Sequence, residues 1–258
     1  PTAGICVSAL QKTGIQELKE CIAHLGQEDS GKKALVRDLI RPLDRIILVI
    51  PIDKAAPKGR LILPQQQVIR DVLEAGASAL CVRNTELTET LQALKEPPAL
   101  VITDSQVFKE VDAKVPEHIL LTSFSILMAR YKGFLEEAVH GVEAVAKLQD
   151  GDRVLIAEGC THHRQCDDIG SVKIPRWLRN YTGREVEIVT CSGTEFPEDL
   201  SPYAMVIHCG GCMLNEREVR YRMKCAQDQG VPFTNYGIAI AEMQGILRRS
   251  IKVLNKEI

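Results

Sequence analysis

Apolar residues in this 258-residue chain fall mostly in short continuous runs, separated by stretches with helical spacing. Runs of four or five bounded by turn residues read as buried strands, and apolar positions three or four apart read as amphipathic helices. On that basis residues 46–50, 79–82, 100–102 and 119–121 are strands, and 65–74, 87–94 and 106–111 are helices. Pro64 sits where a first-turn proline is tolerated, and Gly76 sits where a helix is capped. Alternation of this kind argues a mostly parallel sheet with right-handed crossovers. A second unit begins near residues 131–133 with an amphipathic helix over 134–148, closed by Asp150-Gly151. Strands follow at 154–157, 187–190, 204–207 and 232–234, with helices at 175–181, 216–227 and 238–247. No internal repeat and no low-complexity segment is legible. The beginning differs: a short strand over 4–9 runs into a capped amphipathic helix over 13–22, too little to bury a core alone. A polar link at 27–31 follows. The expected fold class is therefore α/β, two consecutive units with mostly parallel sheets, preceded by a strand-helix piece.

Composition narrows the function classes. Apolar residues make up 45% and charged residues 26%, as in soluble globular proteins. A formal charge of −2 gives no electrostatic reason to expect nucleic acid or an anionic membrane as partner. No apolar run is long enough to span a bilayer, and nothing resembles a secretory signal, so a cytoplasmic protein is expected. Nine cysteines, an odd number in a chain too large to need disulfide staples, fit buried thiols or metal ligands. Cys6, Cys21, Cys81 and Cys225 stand alone and read as small buried hydrophobes.

Other cysteines are grouped. Cys160-Thr161-His162 follows the strand at 154–157, and His208-Cys209-Gly210-Gly211-Cys212 follows the strand at 204–207. Residues just past the carboxyl ends of neighbouring strands converge on one crevice in an open α/β sheet. Three thiols and up to two imidazoles then meet there. Such a set suits a Cys₃His zinc site or an iron–sulfur cluster with an incomplete thiolate set. A full-sized α/β domain does not need zinc to fold, which favours the cluster. A C-x-x-C between strand and helix also fits a dithiol oxidoreductase, which uses Cys209 and Cys212 but leaves Cys160 and both histidines idle. His162 and His208 are candidates for a fourth ligand or for hydrogen-bonding support of the site. His163 reads as a solvated neighbour. Cys166 and Cys191 lie close enough in sequence or on the rim to be extras, with a packed thiol the plainer reading. Arg220, Arg222 and Lys224 read as the wet face of a helix. There is no C-x-x-x-C-x-x-C of the radical-SAM type and no phosphate loop.

The split pattern C-x-H … H-C-x-x-C resembles the cluster-binding signature of the HydF family, the maturation GTPases and scaffolds of [FeFe]-hydrogenase. Glu158-Gly159, Arg164 to Gly170 and Pro232 to Gly237 resemble that family too, and the likeness runs along essentially the whole chain. It implies a [4Fe–4S] cluster on Cys160, Cys209 and Cys212 whose fourth iron takes an exchangeable ligand. It also implies a transient diiron precursor carrying CO and cyanide, built by radical-SAM maturases and delivered to apo-[FeFe]-hydrogenase. Val7-Ser8-Ala9-Leu10 with Thr13-Gly14-Ile15 resembles the last nucleotide-binding motif and terminal helix of a Ras-like GTPase domain, Ser8 and Ala9 touching the base. The residues that bind GTP phosphates and Mg would lie upstream. The implied domains are a GTPase remnant over 1–30, a dimerisation domain over 31–131 that makes a homodimer, and a cluster domain over 132–258.

Overall fold

A computed structural model describes residues 4–11, 13–25, 34–52, 61–159 and 168–254. The chain divides into two compact parts, Pro1–Lys33 and Ala34–Ile258. In the first, α1 spans Ile15–Leu25. Ahead of it, one antiparallel bridge joins Ser8 to Thr13, and residues 4–9 form no ladder among the described residues. The strand expected there is absent because a strand needs a neighbour to take its backbone hydrogen bonds. The polar link at 27–31 lies outside the described residues.

The second part begins with β1 (Arg45–Val49), α2 (Leu63–Glu74), β2 (Ser78–Val82), α3 (Leu87–Ala93), β3 (Leu100–Thr103), α4 (Phe108–Lys114), β4 (Leu120–Ser123) and α5 (Phe124–Tyr131). It continues with α6 (Leu135–Gly141), β5 (Arg153–Glu158), α7 (Ile174–Thr182), β6 (Glu187–Ser192), β7 (Met205–His208), α8 (Glu216–Asp228), β8 (Phe233–Asn235), α9 (Tyr236–Met243) and α10 (Leu247–Ile251). These strands build two four-stranded sheets, ordered β2-β1-β3-β4 and β6-β5-β7-β8. Every pairing is parallel. The fold is α/β, with the apolar runs of β1, β3, β5 and β7 buried at the sheet centres, as parallel strands covered on both faces require.

Both sheets follow one plan, although no repeat is legible in the sequence. Asp44 Oδ2 accepts from Arg41 N at 2.8 Å, and Asp152 Oδ2 accepts from Gln149 N at 2.7 Å. Ser78 N then donates to Asp44 O, and Glu187 N to Asp152 O. Leu43, at φ 70°, stands where the second turn has Gly151 at φ 85°. Ala99 N donates to Arg45 O, and Ala204 N to Arg153 O. The shared residues behind these bonds are an Asp-Arg pair before each first strand and Ala-x-Val-Ile at each third. Both are too short to register as a repeat.

Helices are exchanged between the two halves. α6, which follows the first sheet, packs on β8 of the second, while α10, which follows the second, packs on β4 of the first. The helix expected over 134–148 is α6 followed by a 3-10 helix, Val142–Lys147. The junction falls where α6 meets β8, for a Cβ on Gly141 would lie 2.1 Å from the Phe233 carbonyl oxygen. Likewise the helix expected over 238–247 is α9, a break at Gly245, and α10.

Candidate metal centre

In the second sheet the strand order reverses between β5 and β7, the position at which open α/β sheets form a crevice beyond the carboxyl edge. Ala157 of β5 pairs with His208 of β7, and Cys209 N donates back to Ala157 O at 2.8 Å. Glu158-Gly159 and Cys209 to Cys212 therefore leave the sheet from one corner. Cys209 Sγ accepts from Gly159 N at 3.1 Å and from Gly211 N at 3.3 Å. Gly211 has φ +60°, and a Cβ there would lie 2.9 Å from Val219 Cγ2, so conformation and space both call for glycine. Cys209 and Cys212 are half-buried thiols.

His208 is wholly buried beneath this turn, its ring 5.7 Å from that of Phe233. Nδ1 lies 2.7 Å from Cys209 O, and Nε2 lies 3.4 Å from Arg222 Nη1. A carbonyl only accepts and a guanidinium only donates, so the network places the hydrogen on Nδ1 and leaves Nε2 as acceptor. Burial drives the His208 pKa down to about 4, and the charges of Arg222 and Lys132 act in the same direction. The ring is thus neutral near pH 7 with both nitrogens engaged by protein groups.

Arg222 is 1% exposed rather than on the wet face of α8. Nη2 donates to Gly193 O at 2.6 Å and Nε to Glu218 Oε1 at 2.8 Å, while the guanidinium stacks 5.1 Å over Phe196. Those partners, together with His208, satisfy a charge that burial otherwise penalises. Lys132, just past α5, is buried as well. Its ammonium donates to Gly211 O and, at 2.7 Å, to Leu214 O, the carbonyls that flank Cys212. Burial pushes the Lys132 pKa down, and negative charge at Cys212, then Cys209 and Glu216, pushes it back up. On the other wall Glu158 is buried and accepts from the Tyr236 hydroxyl at 3.2 Å. Burial and that carboxylate hold the Tyr236 pKa well above its ordinary value.

The residues expected to meet are only partly within view. Cys160 and His162, with His163 and Cys166, lie outside the described residues. Cys209, Cys212 and His208 share one turn. Among the described residues no group of three or more His, Cys, Asp or Glu side chains is poised around a metal position. Cys191 is packed within β6, and burial raises its thiol pKa. In the first part, Ser8 Oγ accepts from Gln11 N at 3.1 Å and Ala9 is exposed. No local pattern in the sequence marks the roles of Lys132 and Tyr236, and Arg222, expected on a wet helix face, is buried in the structure. The donor set suits a thiolate-bound group: amide hydrogens point at sulfur, a buried cation stands by, and the histidine is held neutral.

Residues 35–133 match the family model of the hydrogen maturase F dimerization domain, and residues 136–253 match that of the hydrogen maturase F tetramerization domain. The chain belongs to the hydrogen maturase F family. Membership places it in hydrogenase maturation. The first match covers the first sheet and α1's successor elements through α5, so the Lys132 that grips the cysteine turn comes from one family domain and the turn from the other. No curated protein matches the chain. Among solved structures, aspartate transcarbamoylase from Trypanosoma cruzi in complex with phosphate aligns at 9% identity over 93% of this chain and 91% of that one. Its TM-score of 0.31 is too low to carry an argument. No helix among the described residues is long and apolar enough to cross a membrane.

Proposed function

We propose that this chain is the scaffold part of a hydrogenase maturase, holding a [4Fe–4S] cluster through Cys160, Cys209 and Cys212. Its cargo in this reading is a diiron precursor with CO and cyanide ligands, made by radical-SAM maturases and handed to apo-[FeFe]-hydrogenase. One observation carries the reading: the Cys209 sulfur receives two amide hydrogens at the strand-order reversal of a hydrogen maturase F chain. Those amides and the Lys132 ammonium favour the anionic form of the sulfur. Gly159, one of the two donors, directly precedes Cys160 in sequence, which supports counting Cys160 as the third ligand. Three thiolates leave one iron of such a cluster without a protein sulfur, an open position suited to reversible attachment of cargo. His208, with both nitrogens engaged, orients the Cys209 turn, and the fourth position falls to His162 or to an external ligand.

The same reading assigns residues 31–131 to homodimer formation, 132–258 to the cluster and 1–30 to the end of a GTPase domain that binds GTP and Mg. In support of the dimer, β2 is a sheet edge that exposes Leu80 and Cys81, the latter, like Cys6, exposed where the sequence suggested a buried thiol. An edge unpaired among the described residues, with an apolar residue on it, fits pairing with a second copy. The dithiol alternative is weakened by α8, which begins at Glu216 under an Asn215 cap and so does not present its N-terminus at Cys209.

Anaerobic reconstitution with iron and sulfide, followed by metal analysis and EPR of the dithionite-reduced protein, tests the proposal. Near-stoichiometric four-iron loading with a signal perturbed by cyanide or imidazole is expected. A colourless protein that keeps one tight zinc and refuses iron would establish a structural zinc site instead.

A further inference from the structure

We infer that Lys132 is the positioning residue of the cysteine turn, clamping Gly211 to Leu214 from the end of the first α/β unit and supplying the fixed positive charge that balances the thiolates. The clamp stands on geometry alone, and the charge-balancing role rests on the scaffold reading above.

Lys132 is 4% exposed, and among the described residues no carboxylate lies at ion-pair distance from its ammonium. Its hydrogen-bond acceptors are the carbonyl oxygens of Gly211 and Leu214. A buried cation is costly unless negative charge compensates it, and once deprotonated the Cys212 and Cys209 sulfurs would be the foremost sources of that charge. The lysine itself is held from behind. Its amide donates to Met128 O at 3.0 Å, and its carbonyl accepts from Arg220 Nε at 3.2 Å. The ammonium is therefore aimed by α5 and α8, whether or not the cysteines carry a load. Held in place, it favours each added negative charge on the turn and on anything the turn binds. One consequence is a raised reduction potential for a bound cluster, because reduction adds negative charge next to the cation. Another is that a residue in the dimerization match governs a loop in the tetramerization match, so the site depends on the packing between the two units.

The test compares the wild-type chain with Lys132→Met, which keeps the length and apolar stem but removes the charge, and Lys132→Arg, which keeps the charge. In metal-free protein, hydrogen exchange at the amides of residues 210–214 should quicken at least tenfold in Lys132→Met, with the rest of the second sheet unchanged. After reconstitution, an EPR-monitored redox titration should give Lys132→Met a lower midpoint, by a tenfold change in the equilibrium or about 59 mV for one electron. Lys132→Arg should restore most of that shift. Unchanged exchange at 210–214 overturns the clamp. A loaded wild type and a loaded Lys132→Met with the same midpoint overturn the charge role while the scaffold reading stands. A wild type that takes up no iron instead overturns the scaffold reading and the charge role together, and the exchange experiment still decides the clamp. Should Lys132→Met fail to fold, a midpoint in Lys132→Arg shifted as far as that of a Lys132→Gln variant overturns the charge role.

Discussion

At the end of β3 the chain turns at once into a helix, because Asp104 Oδ1 accepts from Gln106 N at 3.0 Å and closes the first turn. At the matched end of β7 there is no such closure. Cys209 takes the place of Asp104, a glycine pair follows, and helix α8 waits for Asn215, whose side chain accepts from Glu218 N at 2.8 Å. Beneath that point the two sheets share strand order, entry turns and register. The difference teaches that the sheet supplies position only. Chemistry enters through what stands between strand and helix, and here a capping carboxylate has been exchanged for a loop that directs amide hydrogens at sulfur.

That contrast can be broken directly. Replacing Cys209 by Asp, as in the first sheet, should cut iron loading to background while the thermal midpoint moves little. Iron analysis beside a melting curve checks it, and full loading in Cys209→Asp would show that the loop rather than the sulfur matters. A second contrast concerns His208, matched by Thr103. Its pKa is about 4 in the fold against an ordinary 6.5, so between those values the unfolded chain binds a proton that the folded chain refuses. Stability of the metal-free protein should be complete above pH 6.5 and fall as pH drops to 4, by ~3 kcal/mol in total. Denaturant titrations across that range test the slope, which His208→Thr should flatten.

The exchanged helices give a third, smaller effect. Gly141→Ala sets a methyl against the Phe233 carbonyl, and backbone has nowhere to retreat. A loss of ~2 kcal/mol is expected from such overpacking, read as an earlier unfolding midpoint. The smallest effect compares the entry turns. Leu43 is 89% exposed and holds the left-handed conformation that Gly151 holds in the second turn. Leu43→Gly should stabilise the protein by about 0.5–1 kcal/mol once the extra freedom of glycine in the unfolded chain is set against the relieved strain.

The strands were legible because parallel strands covered on both faces are continuous apolar runs, and Val154 to Ala157 show it plainly. Helix α5 was not. Phe124 and Ile126 to Ala129 are all buried, so the segment has no polar face and no helical period to read. The ends of α6 and α9 were missed for a different reason, since distant backbone sets one and a single glycine the other. Cys209, Cys212 and His208 could be picked out as candidates from spacing alone. Arg222 could not, because its neighbours in α8 are charged and its burial depends on Gly193, His208 and Phe196, remote in sequence. Lys132 carries no local signal at all, as its partners Gly211 and Leu214 belong to another unit.

The exchange of α6 and α10 also imposes an order on biosynthesis. The face of β4 is covered by α10, whose Arg249 reaches back to Asp112, Val115 and Pro116. A ribosome finishes the first sheet more than a hundred residues before it makes that helix. Until then the nascent first sheet lacks the cover that α10 gives β4, and apolar surface exposed in this way is prone to aggregation while translation proceeds.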